Sequence, residues 1–237
     1  MAHTNTVESY PENPGAAGRA NAGPARLTAI AGLVASVLIL VEVPLYFVYT
    51  GPPPDANVLT RSLLAIIGLT FLVVFMTGLQ TLLAHADPHQ PDVATLATVA
   101  GLVWVTIQFV SNGLETGAVI ASPSAIDPTI TVSGTYILYG SSTRLVEALF
   151  LIAFGHSVLR SGVLPRWTGR SAYVLAAINL AFVPSLYFGN DPAFFYAANG
   201  WGTTASIGAL FMIWLLATSI AVFRAGAGAA RDRAVRV

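Results

Sequence analysis

Glu42, Glu115, Glu147 and Arg144 sit within stretches of this chain that are otherwise apolar enough to cross a membrane. A charge at mid-bilayer costs about 2.5–3.5 kcal/mol on insertion scales, so it persists only where it faces protein, water or a ligand. Each of the four has polar company at helical spacing. Gln108, Asn112 and Glu115 follow i, i+4, i+7 with Ser111 alongside, a stripe that a lipid-facing surface would not carry. Tyr136, Gly140, Thr143, Arg144 and Glu147 share one face of a continuous helix, and Arg144 and Glu147 have the i, i+3 separation that lets side chains meet. Glu42 is followed a turn later by Tyr46, then by Tyr49. Between them, Pro44 removes a helix hydrogen bond and frees the Leu40 carbonyl.

The chemistry open to such a set follows from its charge. Three carboxylates face one buried arginine, and Arg61 neutralises a second only if it reaches inward from the outer surface. At least one carboxyl is then expected to hold a proton at neutral pH or to meet a bound cation. Proton coupling, cation binding and acid catalysis are all compatible with that. The competing structural explanation is interhelical glue, in which Glu–Arg, Asn and Gln contacts contribute about 1 kcal/mol each. Glu115 has no basic neighbour on its own helix, so a ligand or proton role is expected to rest chiefly on it.

The elements that must position these residues are membrane helices. Hydrophobic residues make up 55% of the 237, charged residues 9%, and the mean hydropathy is +0.70, outside ordinary soluble usage. Six apolar stretches near Leu27–Tyr49, Leu59–Leu83, Val93–Ala121, Tyr136–Leu159, Ser171–Phe188 and Trp201–Phe223 each approach the roughly 20 residues that span about 30 Å of hydrocarbon. The expected fold is therefore all-α, a polytopic transmembrane bundle over residues 27–224. Residues 1–26 are polar and rich in Pro, Gly and Ala, and are expected to form a disordered cytoplasmic arm. Residues 225–237 form a short Arg-rich tail. Cysteine is absent, which excludes disulfides and thiolate chemistry. No basic stripe on a soluble face points to nucleic acid, and no residue pattern points to a cofactor.

Arginines set the orientation. With the N-terminus inside, Arg19, Arg26, Arg160, Arg166, Arg170, Arg224, Arg231, Arg233 and Arg236 are cytoplasmic and Arg61 alone is outside. Both termini are then cytoplasmic. Counting along the helices places Glu42, Glu115, Arg144 and Glu147 roughly 9–17 Å below the outer surface. Helices 1, 3 and 4 are expected to converge there on an outward-facing pocket lined by Glu42, Gln108, Asn112, Glu115, Arg144 and Glu147.

Other features carry less. His85, Asp87, His89 and Asp92 in the loop AHADPHQPD offer imidazole and carboxylate groups, but two prolines interrupt them and a solvated turn is the stronger reading, with no metal assigned. His156 is the only histidine in a span and cannot supply paired haem ligands. Tyr187, Phe194, Phe195, Tyr196 and Trp201 suggest an interfacial aromatic belt, or alternatively a roof for the pocket. Leu40-Val41-Glu42 matches Leu145-Val146-Glu147, and Arg61-Ser62 matches Arg170-Ser171, a faint hint of two inverted three-helix halves. Zincin, nucleophile-elbow, Walker and Rossmann motifs are absent.

The segment from Leu159 to Gly169, LRSGVLPRWTG, resembles the inter-helix segment of small six-helix bacterial integral membrane proteins grouped as a domain of unknown function. Tyr196–Gly202 before the last span is similar to the same type. The resemblance implies a six-helix fold in a bacterial cytoplasmic (inner) membrane and no particular activity, so it assigns no catalytic residue. The expected partners are membrane lipids and a small-molecule or lipid-like ligand. Two function classes compete with a purely structural accessory subunit. One is binding or transport through the pocket. The other is an intramembrane enzyme with protonated Glu115 or Glu42 as general acid on an isoprenoid or lipid.

Overall fold

Helix boundaries follow the prolines and glycines. A computed structural model describes residues 14–234, with side chains between 23 and 226, and all regular structure among them is helical. Helix α1 (Pro14–Glu42) passes at Val43 into a 3-10 turn, Val43–Phe47, where Pro44 interrupts the α-helical hydrogen bonding. Helix α2 (Asp55–Ala86) starts directly after the Pro52–Pro54 run, with Asp55 in the first turn where the helix dipole favours an anion. Helix α3 (Pro91–Ala121) opens with proline, which gives up a hydrogen bond the first turn lacks anyway. After the short α4 (Pro128–Thr131) come α5 (Ser133–Tyr139), a 3-10 turn Ser141–Thr143, and α6 (Arg144–Ser161). Gly162, at φ +66°, ends α6 in the left-handed conformation that glycine adopts most easily. Helix α7 (Arg166–Phe182) runs into a 3-10 turn Val183–Tyr187, and a π-helical turn Gly202–Ser206 leads into α8 (Ile207–Ala234).

Five segments are long and apolar enough to cross a membrane: Gly23–Phe47, Asp55–Ala86, Pro91–Ala121, Ser133–Ser161 and Gly202–Gly226. These match the first, second, third, fourth and sixth expected spans. The expected fifth span, Ser171–Phe188, is instead α7, which starts earlier and has 17 residues. Of the arm expected over residues 1–26, positions 1–13 lie outside the described residues and α1 already begins at Pro14. Of the tail expected over 225–237, α8 takes in all but 235–237, which also lie outside.

The long helices pack in a ring. α1 lies between α2 and α8, α2 packs on α3, α3 on α6 and α6 on α7, while α7 meets α8 along a thinner contact. One half of the interior is filled by large apolar side chains, among them Phe75, Met76, Phe150, Phe154, Phe211 and Trp214. Their rings interlock, Phe154 and Trp214 edge to face with centroids 5.1 Å apart and Trp104 and Phe211 tilted at 4.9 Å. Lipid is as apolar as these residues, so the bundle gains here from close packing more than from escape from water. Gly32 permits such an approach, because a Cβ there would overlap Ser219 and Phe75.

The fourth span is broken, which corrects the expectation of one helix over Tyr136–Leu159. At Gly140 (φ −82°, ψ −109°) the chain leaves helical geometry between α5 and the following 3-10 turn. A Cβ at this position would stand 2.6 Å from the Tyr136 carbonyl oxygen and 3.2 Å from that of Ala198. Glycine is what lets the break form against the last loop. Irregular backbone at membrane depth is tolerated where it is buried in protein or lines a cavity.

Glu42 and Glu147, the matched residues of the two three-helix halves, come together in the structure. Both residues line the same cavity, a position that residues at the interface of two inverted halves can also take. A different correspondence is visible: α1 and α7 each pass into a 3-10 turn beginning Val-Pro, Val43-Pro44 and Val183-Pro184. Each is followed by a positive-φ glycine, Gly51 and Gly189.

Candidate functional site

Glu42, Gln108, Asn112, Glu115, Arg144 and Glu147 all line one cavity of about 270 Å³. Its walls extend beyond the three spans expected. α2 contributes Ala65 and Leu69, the turn before α8 contributes Thr204 and Ala205, α8 itself contributes Gly208, and the last loop contributes Pro192, Asn199 and Trp201. That loop therefore covers the cavity in part, while Tyr187, at 89% exposure, points away. Trp104 and Met212 belong both to the cavity floor and to the packed core below it.

Two ion pairs organise the walls. The first joins α2 to α3: an Arg61 terminal nitrogen stands 2.5 Å from Glu115 Oε1, and both residues are almost wholly buried. The Tyr136 hydroxyl donates to the same oxygen at 3.0 Å. Glu115 has no basic neighbour on its own helix, and α2 supplies one across the bundle, so its part in the structure is larger than expected. α2 begins at Asp55, earlier than expected, so Arg61 lies inside the helix and reaches inward instead of standing at the outer surface. Its guanidinium also sits 3.9 Å from the centre of the Tyr46 ring, in cation–π contact.

The second pair is the expected one. Arg144 and Glu147 approach to 3.2 Å, both about 1% exposed. The break at Gly140 gives Arg144 a further task. Its Nε donates to the Gly140 carbonyl at 2.9 Å and a terminal nitrogen donates to the Tyr139 carbonyl at 3.0 Å, so the guanidinium caps the end of α5. Asn179 of α7 completes the cluster, accepting from Arg144 at 3.2 Å and donating to Glu147 Oε1 at 3.1 Å. Sequence reasoning left Asn179 out. A lone amide in the middle of an apolar span was the available signal.

Glu42 differs from the other two carboxylates. Among the described residues its hydrogen-bond partner is the Tyr46 hydroxyl, at 3.1 Å, and no cationic group lies within ion-pair distance. Asn112 is 8% exposed and its Oδ1 has no partner among the described residues; the same holds for Oδ1 of Asn199.

The histidine loop between α2 and α3 is tied up in contacts with its own residues and with α6. Asp87 accepts from Arg160 Nε at 2.9 Å and from the His89 backbone, and His156 Nε2 faces Gln90 Oε1 at 3.2 Å. No group of three or more metal-ligating side chains is found among the described residues.

No protein-family profile, curated protein or solved structure matches the chain.

Proposed function

We propose that this chain is a six-span membrane protein with both termini in the cytoplasm, which binds a small or lipid-like molecule in a cavity in its outer half. The observation that carries the binding part is that six polar residues, drawn from positions 42 to 147, line a single cavity. Glue alone needs contacts between helices and no enclosed space. α7 supports the sixth span: its 17 residues cover about 26 Å at 1.5 Å each, and the Val183–Tyr187 turn extends it toward bilayer thickness. Arg61 supports the orientation, since its burial removes the one arginine otherwise counted on the outside. A reporter active only outside the cell should accordingly be silent when fused after Arg236. Activity there would overturn the six-span reading.

Below the cavity, Trp104, Phe150, Phe211 and Trp214 fill the interior, which favours binding from the outer side over passage through the protein. The test uses Gly208, which lines the cavity and whose added Cβ would meet nothing within 4 Å. Gly208→Leu should therefore start without a clash at its Cβ and take up part of the cavity. Stability should hold or rise, since glycine within a helix costs about 1 kcal/mol relative to alanine. Density maps in lipid nanodiscs should show non-protein density in the wild-type cavity and none in the variant. An empty wild-type cavity would sink the proposal.

A further inference from the structure

Building on the ligand-binding reading above, we infer that the ligand is a small organic ammonium ion and that Glu42 is its counter-charge. Five ionisable groups of opposing sign meet around the cavity: Glu42, Glu115 and Glu147 against Arg61 and Arg144. Arg144 is committed to Glu147, Asn179 and the two carbonyls of the broken span. Arg61 is committed to Glu115. Glu42 is left with a neutral phenol as its partner. A carboxylate in a site of low dielectric needs a positive charge or a proton, and a cation entering the cavity supplies the charge.

The other groups around the cavity favour the same ligand. Asn112 and Asn199 line it, are at least nine-tenths buried, and each has an amide oxygen without a partner. A half-turn of the Asn112 amide exchanges its oxygen and nitrogen, so it can present an acceptor to an N–H donor, whereas the Asn199 nitrogen is held by the Thr129 carbonyl at 3.4 Å. Aromatic rings supply the second feature that ammonium ions seek. Tyr46, Tyr136 and Tyr139 form a contiguous wall, with centroids 6.4 Å and 5.4 Å apart, and Trp104 and Trp201 also face the space. Ring faces attract cations most strongly where water is excluded. An anion finds less here, because each guanidinium already faces a carboxylate, Arg61 that of Glu115 and Arg144 that of Glu147, although Arg61 Nε has no partner among the described residues. The volume, about 270 Å³, lies just below the range of about 300–1,000 Å³ typical of drug-sized ligands, which sets the size of the amine.

The experiment compares 2-phenylethylammonium with its uncharged counterpart 2-phenylethanol, by thermal shift and by quenching of tryptophan fluorescence. Wild-type protein should bind the ammonium at least tenfold more tightly than the alcohol. Glu42→Gln, which keeps an acceptor for Tyr46, should abolish that preference, and Glu42→Asp should retain most of it. If the alcohol binds wild type as well as the ammonium, and Gly208→Leu removes both, the cavity is a ligand site but the charge assignment is wrong. If Glu42→Gln retains the preference, the charge assignment is wrong as well. If neither probe binds wild type, the ammonium inference falls, while the nanodisc density still decides whether the cavity holds anything. Should Glu42→Gln not fold, Glu42→Asp decides alone, and loss of all charge preference in that variant while it binds the alcohol normally would also overturn the inference.

Discussion

Arg144→Ala is expected to cost roughly 3–5 kcal/mol of stability, the penalty for removing one partner of a buried ion pair. It would leave Glu147 charged and buried beside Asn179, with no guanidinium within reach. The backbone enlarges the effect. The Tyr139 and Gly140 carbonyls, freed by the break in the fourth span, would lose the donors that Arg144 supplies. A double change to Arg144→Met with Glu147→Leu removes both charges at nearly constant volume and should recover part of the loss. It should not recover all of it, because methionine cannot cap α5. Reversible unfolding of wild type, single and double variants in mild detergent measures the difference. If the double variant is no more stable than the single one, the cost comes from capping the broken span and the ion pair contributes little.

How much of this could be read in the sequence depended on whether the signal was local. The polar stripe Gln108, Ser111, Asn112 and Glu115 was legible because α3 is regular through it, so residue spacing translated directly into a shared face. The Arg144–Glu147 pair was legible for the same reason, lying within the first turn of α6. The break at Gly140 was not, because glycine is common in membrane helices. Its effect depends on the Ala198 carbonyl and Thr204, far along the chain. Arg61 was misplaced by a boundary error: a helix start set at Leu59 puts it at the surface, whereas a start at Asp55 puts it a full turn inside. Asn179 escaped because its partners lie on another helix. In each miss the deciding contact joins residues distant in sequence, and local periodicity carries no record of such contacts.

The correction at Arg61 also reverses what the third carboxylate should do on mutation. Read from its own helix, Glu115 is a carboxyl without a basic neighbour, and Glu115→Gln should leave the melting temperature almost unchanged. With Arg61 2.5 Å away, the same change leaves a buried guanidinium uncompensated, although the amide oxygen can still accept from it and from Tyr136. A loss of about 3 kcal/mol or more is therefore expected. Arg61→Met with Glu115→Gln should be the more stable combination, since it removes the orphaned charge. Glu42→Gln provides the internal standard. It is the same chemical change in the same cavity, but no cation is orphaned, so its cost should stay near the roughly 1 kcal/mol of a single polar contact within a membrane bundle. The two variants must separate clearly in an unfolding titration run side by side. Equal costs would mean that Arg61 is shared between Glu42 and Glu115, and neither carboxylate could then be assigned to the ligand alone.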